Sequence, residues 1–136
     1  PEQYITFFVA VYDPEESTLT YVNAGHNPPL LIRDDGEMRI LDTGGLILGF
    51  LPAMKYQQEA VKLARGDLII MYTDGVSEAM NGLDEEFGEP RIRDGVIARR
   101  TQPVEQILSA LENEAVRFRG GDSFDDDFTL LLIRAI

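Results

Sequence analysis

Gly66-Asp67-Leu68-Ile69-Ile70-Met71-Tyr72-Thr73-Asp74-Gly75-Val76-Ser77-Glu78-Ala79 is the stretch on which the reading of the fold turns. Leu68 to Met71 is an apolar run short enough for a buried strand. Asp74 follows that strand directly, and Gly75 gives the backbone freedom to bend so that the aspartate points into a cleft. A second acidic site mirrors it near the end of the chain, where Asp125-Asp126-Asp127 runs directly into Phe128 to Ile133, another buried strand. If the two strands are antiparallel neighbours, the end of one lies beside the start of the other. Asp74 then faces Asp126 or Asp127 across a sheet edge. Carboxylates brought that close repel one another unless a cation or a proton sits between them. Residue type alone leaves other readings open. Thr-Asp-Gly is common turn chemistry, Asp74 would also cap a short helix starting at Val76, and Asp122 to Asp127 would also serve as a solvated loop.

Outward from this stretch, strands fill the first half of the chain. Tyr4 to Tyr12 is rich in β-branched and aromatic residues on both alternating faces, which predicts a strand covered on both sides. Asp13 to Ser17 is turn chemistry, and Leu19 to Ala24 supplies the second arm of a hairpin. Pro29 to Arg33 and Glu37 to Leu41 flank Asp34-Asp35-Gly36, a second hairpin signal. Gly44 to Gly49 is a glycine-bounded segment, and Tyr56 to Leu63 alternates weakly, as an edge strand does. Helical spacing comes late. A short helix is expected over Arg91 to Arg100. A longer one follows from Val104, Ile107, Leu108, Leu111, Ala115 and Phe118, with Pro103 at its start and Gly120-Gly121 at its end. The order predicts one domain over residues 1–136, an α+β fold in which helices cover an antiparallel sheet. A domain seldom begins in a doubly covered strand, so a missing N-terminal part is expected.

Composition narrows the chemistry. The chain has 136 residues, no cysteine, one histidine and a formal charge of −12. Disulfides and thiolate metal sites are excluded. A field of that sign repels phosphate backbones, so nucleic acid is not an expected partner. No stretch is apolar enough to cross a membrane and no export signal opens the chain, which makes the cytoplasm the expected location. His26, in Asn23-Ala24-Gly25-His26-Asn27-Pro28-Pro29, cannot form a zinc site unaided and is read as a histidine bonded to backbone in a tight turn. The cluster Asp122 to Asp127 is not a calcium hand, because Phe124 occupies a donor position. There is no G-x-S-x-G elbow, phosphate-binding loop or dinucleotide fingerprint.

Five segments in order, Phe7 to Asp13, Leu19 to Pro29, Leu46 to Gly49, Gly66 to Ala79 and Asp126 to Leu132, resemble the PPM (protein phosphatase 2C-like) family in its bacterial SpoIIE/RsbU branch. The resemblance spans about Phe7 to Ile133. It implies an antiparallel β-sandwich flanked by helices, in αββα layers. It also implies two divalent cations, manganese or magnesium, which activate a water that attacks phosphoserine or phosphothreonine directly. On the family's pattern Asp74 and Asp126 are metal ligands. Asp127 and Gly75 would support the site, Glu78, four residues after Asp74, either supports it or is not involved, and no role follows for His26. The family's N-terminal segment, Asp-Val-x-Gly-Lys-Gly-like, has no counterpart here. Asp94-Gly95-Val96 is only a look-alike, so about half of the expected ligands are absent from these residues. The implied substrate is a phosphorylated protein, in this branch often an antagonist of an anti-sigma factor, under an upstream sensor or regulatory domain. The competing expectation is a catalytically incomplete module that binds a partner or forms a homodimer through exposed sheet edges.

Overall fold

The computed structural model describes residues 3–121, 124 and 126–136. Strands β1 (Phe7–Asp13) and β2 (Thr18–Ala24) form the expected hairpin, from Phe7 opposite Ala24 to Asp13 opposite Thr18. The Asp13 carboxylate closes its turn by accepting the amides of Glu15 and Glu16 at 2.9 and 3.2 Å. A second hairpin joins β3 (Leu30–Ile32) to β4 (Met38–Ile40). The two-residue β5 (Gly44–Gly45) lies parallel to the end of β2, and β6 (Glu59–Lys62) lies antiparallel to its start. Then come β7 (Leu68–Tyr72), the single turn α1 (Asp74–Ser77), α2 (Gly88–Ala98), α3 (Val104–Arg119) and β8 (Leu130–Arg134).

Two sheets result. In the first, β2 lies between β1 and the pair β5 and β6; in the second the order is β4-β3-β7-β8, antiparallel throughout. The expectation that the strand after Asp67 neighbours the last strand holds, with Ile70 opposite Leu132 and Tyr72 opposite Leu130. Side chains alternate between two apolar layers, as the pleat requires. Leu31 and Ile69 point between the sheets, where they meet Leu19, Tyr21, Leu41 and Val61. Leu30, Ile32, Leu68, Ile70, Tyr72 and Leu132 point the other way, onto α2 and α3. This is why Leu68 to Tyr72 is apolar without alternation: both of its faces are covered. Helix α3 contributes Ile107, Leu111 and Ala115 at four-residue spacing, has Glu105 in its first turn and Arg117 and Arg119 in its last, and ends at Gly120 with φ 79°. Those charges suit the helix dipole, and the left-handed glycine is a frequent helix stop.

Three expectations need correction. The helix expected over Arg91 to Arg100 is α2 and starts at Gly88, with Pro90 inside its first turn, where a missing amide costs no helical hydrogen bond. The last strand starts at Leu130, because the backbone of Asp127 and Thr129 is bonded to the Thr73 hydroxyl instead. The first strand is not covered on both sides. Phe8 and Ala10 pack toward the inter-sheet layer, while Phe7, Val9 and Val11, on the other face, are 51, 44 and 68 % exposed. Among the described residues no element lies over that face, so the layers run α-β-β.

Among the described residues, no helix is long and apolar enough to cross a membrane. The buried Asp67 has a structural explanation: it accepts from Arg33 at 2.5 Å, from the Ala64 amide at 2.8 Å and from the Asp34 amide at 3.3 Å. It therefore pins both connections at its end of β7.

Candidate metal site at the β7–β8 edge

The site is built where β7 ends and β8 begins. Thr73 ties the two approaches together. Its amide donates to the Thr129 carbonyl at 3.2 Å, its hydroxyl donates to the Asp127 carbonyl at 2.7 Å, and that hydroxyl accepts from the Thr129 amide at 3.1 Å. Gly75 then packs directly on the aspartate backbone: a Cβ at this position would lie 2.1 Å from the Asp127 carbonyl oxygen. Gly75 is thus needed for close approach, and the left-handed backbone that sharp bends often use is not involved. Asp74 is the first residue of α1. The capping position is Thr73, so Asp74 does not cap a helix beginning at Val76.

The Asp74, Asp126 and Asp127 side chains are exposed and border one cavity of about 260 Å³. The turn after β2 forms its opposite wall, through Gly25, His26 and Asn27, with Thr6 beside them. The Asn27 amide donates to Oδ1 of Asp74, and Asp126 Oδ1 accepts the Asp127 amide at 2.7 Å. The His26 ring does not bond backbone as expected. Its Nδ1 pairs with the Thr6 hydroxyl at 3.0 Å, while its backbone is held by Asn23. Glu78 is exposed and borders a smaller adjoining hollow of about 110 Å³, together with Asp74, Asp126 and Arg119. Tyr72, buried beneath the site, has its phenol pKa raised above the ordinary value, first by burial and then by the charges of Glu89 and Asp74. A hollow of about 650 Å³ between α2 and α3 shares no residue with this site.

These donors are hard oxygens at an open cavity, which suits Mg²⁺ or Mn²⁺ and does not suit soft-metal chemistry. Among the described residues no group of three or more His, Cys, Asp or Glu is placed to hold a metal ion. The arrangement fits part of the shell of an ion that keeps several waters. Asp122, Ser123 and Asp125 of the acidic cluster lie outside the described residues. Sequence reasoning brought Asp74 to Asp126 and Asp127 but assigned nothing to Asn27 and Thr6. The Asn-Ala-Gly-His-Asn-Pro-Pro order was the available signal.

Solved structures share this architecture. The PP2C domain of SiaA from Pseudomonas aeruginosa superposes with a TM-score of 0.79 at 23 % identity, over 95 % of this chain and 51 % of that one. The RsbU and RsbW domains of Rv1364c from Mycobacterium tuberculosis give 0.78 at 28 % identity, over 95 % of this chain and 35 % of that one. The fold is therefore that of the PP2C-type phosphatases. The sequence model of the family described as Stage II sporulation protein E (SpoIIE) matches residues 1–136, and the chain belongs to that family. Phosphoserine phosphatase RsbU of Bacillus subtilis is 28 % identical over 134 residues, 96 % of this chain and 39 % of RsbU. The chain spans between 16 and 39 % of the length of four curated relatives that it matches.

Proposed function

We propose that residues 1–136 are part of a single SpoIIE-type domain whose complete form is a metal-dependent protein serine/threonine phosphatase. The observation that carries this is that Asp74, Asp126 and Asp127 all border one open cavity at the β7–β8 edge. Asp74 and Asp126 would hold the ion directly. Asp127, through its carbonyl contact to Thr73, and Gly75, through close packing, keep the two aspartate loops together. Glu78 borders the neighbouring hollow and would act on the ion's waters at most. Two divalent cations held there would supply an activated water and positive charge to offset that of the phosphate. The PstP catalytic domain, alike in fold with a TM-score of 0.62 at 17 % identity, is described with two manganese ions, which supports this cofactor. RsbU is named a phosphoserine phosphatase, which supports phosphoserine as the group that is hydrolysed. Within that class we favour an antagonist of an anti-sigma factor, acted on in the cytoplasm under an attached regulatory domain.

The test is manganese-dependent hydrolysis of para-nitrophenyl phosphate by the complete protein. Chelator should abolish it, and Asp74→Asn should lower it roughly a hundredfold or more, because an ion losing a ligand loses both position and charge compensation. Unchanged turnover in that variant would overturn the assignment. A second reading rests on the uncovered face of β1: the residues act as a catalytically incomplete module that binds a partner or a second copy. Absence of turnover in the complete protein, with a stable dimer in solution, would favour it.

A further inference from the structure

The turn after β2 carries more order than a connection needs. Asn23 is 3 % exposed, and its side chain is fully engaged. Its Oδ1 accepts the His26 amide at 2.8 Å, and its Nδ2 donates to the carbonyls of His26 at 3.1 Å and Leu41 at 3.3 Å. The Asn23 amide itself donates to the Thr43 carbonyl at 2.8 Å. Gly25 has φ +68°, and a Cβ there would lie 2.4 Å from a methyl carbon of Ile47, so both conformation and space demand glycine. Pro28 restricts Asn27 to extended backbone, and the Pro29 carbonyl accepts the Leu41 amide at 2.9 Å. Every restraint fixes one point, the position of Asn27. Its amide group meets Asp74, 47 residues away, at Oδ1.

We propose that Asn27 is a positioning residue for Asp74, and that the turn from Asn23 to Pro29 exists to hold it. The inference rests on the reading of Asp74 as a metal ligand. An exposed aspartate at the first position of a one-turn helix has several rotamers open to it. A donor fixed on Oδ1 selects one of them, leaves Oδ2 to the cation, and lowers the repulsion from Asp126 and Asp127 before the ion arrives. Partners of this kind typically contribute a 10- to 100-fold factor in metal affinity.

The experiment is a double-mutant cycle in the complete protein, read as Mn²⁺ dissociation constant by electron paramagnetic resonance titration, with circular dichroism to establish folding. Asn27→Ala should weaken Mn²⁺ binding about 10-fold or more in the native background and add nothing further in an Asp74→Ala background. Asn27→Ser, whose shorter hydroxyl does not reach Asp74, serves where the alanine variant does not fold, and should behave alike. Native affinity in a folded Asn27 variant, or the same loss in both backgrounds, overturns the positioning role while Asp74 keeps its own. Unchanged affinity in Asp74→Ala alone removes the ligand reading and the inference with it.

Discussion

The two sheets are built from similar residues and end in opposite situations. In the second sheet, β7 has Ile69 on the inter-sheet layer and Ile70 under the helices, 3 and 0 % exposed. In the first sheet, β1 has Phe8 and Ala10 turned inward but presents Phe7, Val9 and Val11 to solvent. The layer between the sheets is also open along one side, where Tyr12 of β1 and Leu131 and Ile133 of β8 are each about half exposed. The helix-covered sheet therefore holds a closed core, and the site stands on the end of its strands. The other sheet supplies the Asn27 wall but has a bare back. The difference teaches where this chain's stability resides, and which of its surfaces are not finished by its own described residues.

The largest effect on stability should come from the closed side. Ile70→Ala removes a fully buried side chain between β7 and the helices, where neighbours on both sides cannot collapse into the space. A loss of about 2–5 kcal/mol is expected, measured by urea unfolding. A loss below 1 kcal/mol would mean that the helix layer is loosely packed and that the contrast between the two sheets is weaker than their burial implies.

Next in size is Gly75→Ala, where the closed core meets the site. The added methyl would overlap the Asp127 carbonyl, so the Asp126–Asp127 segment must move away from α1. Overpacking of this kind costs about 1–3 kcal/mol. The same movement separates Asp74 from Asp126, so Mn²⁺ affinity should fall along with the unfolding midpoint. Full stability with weakened Mn²⁺ binding would show that the close approach serves the site alone.

Much of this arrangement was legible because it is local. A short apolar run followed by Asp-Gly, and an Asp-Asp pair followed by a second run, place carboxylates at the ends of paired strands whatever surrounds them. Helix α3 was legible from its spacing and its left-handed glycine stop. What escaped was long-range or relational. The contact of Asn27 with Asp74 joins residues 47 apart, and no local pattern encodes it. The sequence offers Gly75 as a residue that lets the backbone bend, whereas its use lies in what packs against it. The start of β8 moved by two residues because Thr73 competes for its backbone. The composition of β1 predicts cover on both faces, whereas among the described residues only the Phe8 and Ala10 face has it.

The smallest expected effect bears most directly on that question. Val9→Lys and Val11→Lys replace exposed apolar groups on the bare face with charges, and Val11 loses little packing because it is 68 % exposed. Stability of the isolated chain should change by no more than about 0.5 kcal/mol. Self-association, read by sedimentation velocity or light scattering, should fall, because lysines on an unpaired edge oppose strand addition and break up the apolar patch. The same pair of substitutions in the complete protein sharpens the comparison. If another segment lies on this face there, burying two lysines without partners costs several kcal/mol, and the variant unfolds at markedly lower urea. If the cost stays within about 0.5 kcal/mol in both contexts, the face is bare in the complete protein too, and a partner or second copy becomes the better account of what it holds.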